Sequence, residues 1–214
     1  MKVIDLTHFI SEDMPVYPGT ESPVLAPANT YDKDGFKETR MTMYTHTGTH
    51  MDPPAHLFDG RTTLDQFSVE QFVGRALVID CSDLKDGERV PLDRITRYGS
   101  KADEADFLLF RFGWDKHWGT PAYFGNYPYL SDEAVDHIIR TQKKGVGLDV
   151  IGIDPIADAN LTIHRRLFAK NEIVVIENLM NLDRVGDELF WLMALPLKHV
   201  NADGSPIRAI AFWP

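Results

Sequence analysis

Cysteine is nearly absent: Cys81 is the single thiol in 214 residues. That excludes an intrachain disulfide framework and any cysteine-based zinc knuckle. Cys81 closes the strand-like run Ala76-Leu77-Val78-Ile79-Asp80-Cys81, where a free thiol packs as a small hydrophobe. Basic residues are also short, 22 Lys and Arg against 32 Asp and Glu, for a net charge of −10. No basic stripe exists to exchange counterions with a phosphate backbone, so nucleic acid is not an expected partner. No apolar run reaches membrane-spanning length, which gives no expected membrane partner. Met1-Lys2-Val3-Ile4-Asp5 lacks the apolar stretch of a secretory signal, so the expected location is the cytoplasm. Repeats, low-complexity tracts and a dividing linker are missing too. With 43% apolar residues the chain can bury a sizeable core, and a single domain over 1–214 is expected.

What is present is concentrated in one stretch, His46-Thr47-Gly48-Thr49-His50-Met51-Asp52-Pro53-Pro54-Ala55-His56. It holds three of the eight histidines and one carboxylate. Imidazole and carboxylate together suit a first-row divalent ion, Zn²⁺ or Mn²⁺. Gly48, three threonines and Pro53-Pro54 argue against a helix here. In an extended chain His46, His50 and Asp52 point to one side. A straight strand would separate the Cα atoms of His46 and His50 by roughly 13 Å, at about 3.3 Å per residue. Two imidazoles only just span that, so a bend at Gly48 is expected. Pro53-Pro54 is expected to carry a stiff, extended segment to His56, which is held near the site without needing to be a ligand.

Along the rest of the chain, strands are expected at 2–7, 39–45, 75–81, 107–110, 150–154, 173–177, 189–195 and 207–212. His8 follows the first of them, as a site residue or a surface or capping group. Residues 11–35, rich in proline, read as a long loop, with Phe9 and Tyr17 as candidates to cover a substrate. Pro91 opens a short helix to about Tyr98. Ser131 caps a helix whose first turn holds Asp132 and Glu133, and Gly145 is expected to end it. The aromatic loop from Trp114 to Phe124 either lines a pocket or packs at the edge of the core. Alternating strands and helices give an α/β fold with a central mixed sheet.

Two more residues are candidates. His164 shares a helical face with Leu161, Leu167 and Phe168, so it points inward. A histidine so placed is either a satisfied core residue or a ligand. Glu177 ends the apolar strand Ile173-Val174-Val175-Ile176 and must be paired, neutral or metal-bound. Arg208 is one candidate partner.

The pattern H-x-G-T-H-x-D-x-P-x-H resembles, at every fixed position, the signature of the cyclase family, which contains kynurenine formamidases and isatin hydrolases. Ile4-Asp5-Leu6-Thr7-His8, Met14-Pro15-Val16-Tyr17-Pro18-Gly19, Gly152-Ile153-Asp154, Ile176-Glu177-Asn178-Leu179 and Ala194-Leu195-Pro196-Leu197-Lys198 are similar as well. The resemblance implies a swivelling β/β/α fold with helices flanking the sheet, and a homodimer. It implies a metal-dependent hydrolase of an aryl or cyclic amide. His46, His50, Asp52, His164 and Glu177 would hold one or two Zn or Mn ions, with Asp52 bridging. His56, off the metal and with an ordinary pKa of about 6.5, is expected to be the proton shuttle. An N-formyl aryl amine such as N-formylkynurenine is the substrate the resemblance implies first, with cyclic imides, lactams and lactones next. Relatives often carry Trp at the place of Tyr17 and Thr at that of Phe112, which bears on substrate and not on metal. A non-catalytic metal module is the rival reading, although a closed structural site has no use for the extra base His56.

Overall fold

Apolar runs rich in β-branched residues dictate the centre of the molecule. A computed structural model describes residues Met1–Pro214. Its strands are β1 (Lys2–Asp5), β2 (Val24–Asn29), β3 (Glu38–Thr42), β4 (His50–Asp52), β5 (Val73–Asp80), β6 (Arg89–Val90), β7 (Phe107–Arg111), β8 (Tyr129–Leu130), β9 (Gly145–Leu148), β10 (Val174–Glu177), β11 (Phe190–Pro196) and β12 (Ser205–Trp213). Its helices are α1 (Tyr31–Asp34), α2 (Asp93–Thr96), α3 (Ser100–Glu104), α4 (Asp132–Arg140) and α5 (Thr162–Phe168).

Eight strands form one mixed sheet in the order β1-β12-β11-β5-β7-β9-β10-β4. The strands β5, β7, β9 and β10 run parallel, and the other pairings are antiparallel. β4 also pairs with β12, so the sheet closes on itself into a barrel-like core. The expected central mixed sheet with flanking helices is what the chain forms, and closure removes edges that would otherwise be open. Alternation along the strands builds two cores. Ala76, Val78, Leu109, Ile176, Leu192 and Ala209 fill the interior. Leu77, Ile79, Phe110 and Val175 face outward, where Val135 and Ile138 of α4 and Leu167 and Phe168 of α5 cover them.

Several boundaries differ from expectation. The run Val150–Asp154 is buried but makes no strand; the strand is Gly145–Leu148 just before it. Gly145 and Gly147 conceal it in the sequence, yet they fit it: a Cβ on Gly147 would lie 2.6 Å from Leu109 Cδ2. Accordingly α4 ends earlier, with Thr141 as its cap, and Gly145 opens β9. The expected loop 11–35 contains β2, which pairs with β3 as a separate hairpin and tolerates Pro27 beside an irregularity in register. Every residue of β3 is exposed. After Asp52 the chain is extended only through Pro53, then turns as a 3₁₀ segment at Pro54–His56 instead of running straight.

Candidate metal centre

β4 and β10 place the first three groups. In their antiparallel register Glu177 stands opposite His50, and Asp52 lies two residues on, on the same face. Met51 and Ile176 take the alternate face, into the barrel interior. The result is a short row of one imidazole and two carboxylates on the outer face of the sheet. α5 lies over that face and lowers His164 onto it. His164 Nε2 is 3.4 Å from Asp52 Oδ2 and 3.3 Å from Glu177 Oε1. His50 Nε2 is 3.3 Å from Asp52 Oδ1 and 3.5 Å from Glu177 Oε2.

His46 arrives by the bend expected at Gly48, whose φ of +64° is in the left-handed region that suits glycine. Its Nδ1 is 2.7 Å from Asp52 Oδ1. The ring has room because Gly204, just before β12, has no side chain; a Cβ there would come 2.5 Å from His46 Cε1. His56 joins from the 3₁₀ turn, with its ring 4.0 Å from that of His46 and 5.9 Å from that of His164. All six expected site residues therefore meet at one place. Their donor atoms fall into two sets, His46, His50 and Asp52 in one and Asp52, His164 and Glu177 in the other, each within 4.8 Å.

The electrostatics match a cation. Burial would depress His50, but Asp52 and Glu177 outweigh it and raise its pKa to about 9. For His164 burial is likewise outweighed, by hydrogen bonds to Asp154, Asp52 and Glu177, so its pKa stands well above the ordinary value. Burial opposes ionisation of Asp52, yet the surrounding imidazoles hold it well below the usual carboxylate range. Protons on imidazole thus balance buried carboxylates, a balance that a divalent ion can take over with release of those protons. The donor set is nitrogen and oxygen with no sulfur, which suits Zn²⁺ or Mn²⁺. His56 differs: burial lowers its pKa to about 4, which leaves it neutral at pH 7.

Three further residues, which no local sequence pattern marks as site residues, support the centre. Asp154 accepts from His164 Nδ1 at 2.6 Å and from the backbone N–H of Ile163 and His164, so it fixes both the ring and the start of α5. Asn178 donates to the Gly48 carbonyl and accepts from the Tyr123 hydroxyl, which ties the bend to the body of the fold. Gly204 clears space for His46. Asp154 and Asn178 left a trace in the sequence, in the family-like segments Gly152-Ile153-Asp154 and Ile176-Glu177-Asn178-Leu179, whereas Gly204 left none.

Other candidates resolve. Tyr17 lines the cleft above the centre, whereas Phe9 is exposed and does not. Trp114, Tyr123 and Tyr127 belong to the core, and Phe112 is buried there too. His8 stacks on Trp118 with ring centroids 3.8 Å apart. Arg208 pairs with Asp5 and leaves Glu177 to the centre. Cys81 is free and buried, with its thiol pushed up to about 12. No helix is long and apolar enough to cross a membrane.

The cyclase family model matches residues 4–155. A kynurenine formamidase of Bacillus mycoides (strain KBAB4) is 32% identical over 215 residues, covering 97% of this chain and 95% of that protein. The structure of isatin hydrolase A from Labrenzia aggregata bound to benzyl benzoate superposes with a TM-score of 0.87 at 27% identity, over 98% of this chain and 93% of that one. That of a predicted metal-dependent hydrolase from Bacillus stearothermophilus does so with 0.75 at 28%, over 98% and 97%. With the motif, the fold and these likenesses in agreement, the chain belongs to the cyclase family of metal-dependent hydrolases.

Proposed function

We propose that this hydrolase cleaves the C–N bond of an N-formylated aromatic amine, the bond class named by its kynurenine formamidase relatives. His46, His50, Asp52, His164 and Glu177 would hold one or two Zn²⁺ or Mn²⁺ ions, and residues 1–214 act as one catalytic unit. The observation that carries this is Asp52: one of its oxygens faces His46 and His50, and the other faces His164. A carboxylate so shared would serve both donor sets at once. A divalent ion held there would supply a Lewis acid that polarises a carbonyl and lowers the pKa of water toward about 7. His56, neutral and lining the cleft, takes a proton from the attacking water at its ring nitrogen and returns it to the departing amide nitrogen. Asp154 keeps the His164 ring oriented throughout. Elemental analysis after mild purification, with formanilide turnover in added Zn²⁺ and Mn²⁺, is the test. One to two ions per chain and metal-dependent release of formate are expected; no metal and no activation would end this reading.

A second reading, cyclic amide hydrolysis, is favoured by the isatin hydrolase likeness and uses the same residues.

The same reading includes a homodimer. The β2–β3 hairpin leaves Val24, Met41 and Phe36 about half exposed and Tyr31 more so. A two-stranded hairpin is marginal alone, and a second copy would cover this surface. Sedimentation at micromolar concentration should give a dimer; a fully active monomer would refute it.

A further inference from the structure

We propose that the substrate of this site carries no anionic group, which sets aside N-formylkynurenine, an amino acid with an ionised carboxylate: it is a neutral aryl amide, cyclic imide or lactam, held by aromatic and aliphatic walls and not by an ion pair. The inference rests on the hydrolase reading above and narrows its substrate.

The cleft over the centre has a volume of about 630 Å³, ample for one aromatic ring with its substituents. Twenty residues line it, and none is lysine or arginine. Its three carboxylates, Asp52, Asp154 and Glu177, are all engaged with the histidines of the centre. Away from the centre the wall is Val16, Tyr17, Tyr44, Ile151, Ile156 and Leu161. Aromatic faces of this kind favour offset or edge-on contact with a substrate ring.

The charges beside the cleft have the wrong sign for an anion. Asp158 stands next in the chain to Ala159 of the cleft wall. Asp203 lies 3.6 Å from His46 Nε2. Arg165, one turn along α5 from Leu161, is committed elsewhere: its Nε donates to the Asn160 carbonyl and its guanidinium lies over the Phe58 ring. A carboxylate on the substrate would lose water against an apolar wall and gain no partner. The only positive charge open to it would be the ions themselves, where it would compete with the reacting carbonyl. A carboxylate produced at that carbonyl by hydrolysis is no exception, because it arises at the centre.

The test compares formanilide with 4-formamidobenzoate on the metal-loaded protein. The neutral amide should have kcat/KM higher by roughly tenfold or more, the equivalent of one unpartnered charge, and the difference should lie in KM. Ala159→Lys, which puts a cation on the cleft wall, should shrink that ratio several-fold. Calorimetry with two ketones that cannot be hydrolysed, 4-methylacetophenone and 4-acetylbenzoate, reads binding directly. On metal-free protein, where no ion can capture the carboxylate, the neutral ketone should bind more tightly. Equal or better turnover of 4-formamidobenzoate, or tighter binding of 4-acetylbenzoate to the metal-free protein, overturns the inference. If neither amide is hydrolysed with either metal, the hydrolase reading fails, and the binding comparison alone decides this one.

Discussion

The two halves of the metal centre are built differently. His50, Asp52 and Glu177 stand on paired strands, are buried, and are joined by His164 from α5. Each of the flanking groups is held by a further partner. His50 Nδ1 bonds the Gly48 carbonyl, His164 Nδ1 bonds Asp154, and Glu177 accepts from the Ile153 N–H. His46 and His56 instead sit before and after β4, on irregular chain, and both are partly exposed. The first half cannot move without breaking a sheet ladder or the start of a helix. The second half is carried on chain outside the sheet and has no ladder to break. A site of this kind separates two tasks: the half on paired strands fixes the charge that holds an ion, and the half on irregular chain adds one ligand, His46, and presents one base, His56, to whatever enters the cleft.

The strongest way to break that division is Asp52→Asn. It keeps the shape and removes the charge common to both donor sets. Metal content should fall, and activity with it, on the order of 10³-fold, above the 10–100-fold typical of outer-shell partners. High added metal should restore part of the loss. Retention of the full metal content and activity would show that the charge of Asp52 is not what holds the metal.

His56→Ala tests the other half. It should keep metal and fold while kcat falls by about 10²–10⁴. A formanilide with a better leaving group should suffer less, because it depends less on protonation. Metal loss comparable to that of Asp52→Asn would make His56 a ligand and move the proton transfer elsewhere.

Asp154→Asn asks how far rigidity reaches. The amide oxygen can still accept from the Ile163 N–H, so α5 should start in the same place. The charged partner of His164 is gone, however, and metal affinity should weaken by about 10–100-fold. Titration with a competing chelator measures it. An unchanged affinity would mean that α5 alone orients the ring.

How much of this was legible in the sequence follows from where each residue lies along the chain. His46, His50, Asp52 and His56 sit within eleven residues, so their period and the Gly48 bend could be worked out locally. His164 and Glu177 could be placed on an inward helix face and at the end of a buried strand, but local pattern could not say that both faced Asp52. Asp154, Asn178 and Gly204 act only through contacts made by folding, across gaps of 10 to 130 residues for Asp154 and Asn178. The fold was read in the same way. The apolar strands β5, β7 and β10 were evident, whereas β9 was misplaced because its glycines serve neighbours in the sheet. β2 was missed because Pro27 looks like a loop residue, although an isolated hairpin admits it.

The smallest effect concerns what stands behind the rigid half. His8 N–H donates to Thr49 Oγ1, and that hydroxyl donates to the Asn178 carbonyl, so His8 backs the turn between Gly48 and β4. Its ring is buried flat against Trp118, and its Nε2 has no hydrogen-bond partner. Burial lowers its pKa to about 4. Between that value and the unfolded value of about 6.5, the unfolded chain binds the proton that the folded chain refuses. Stability is therefore whole above pH 6.5 and declines as the pH falls toward 4, by at most about 3 kcal/mol at 1.36 kcal/mol per unit. His8→Phe keeps the stack and the backbone bond to Thr49 and removes the proton. Because metal binding is itself linked to proton release, the informative quantity is the difference between parent and variant at saturating metal. The variant should match the parent at pH 8 and melt roughly 5–10 °C above it near pH 4.5, at about 2–4 °C per kcal/mol for a chain of this size. Equal melting curves at both pH values would mean that the His8 pocket opens to water before the barrel unfolds, and that the rear of the rigid half is not rigid.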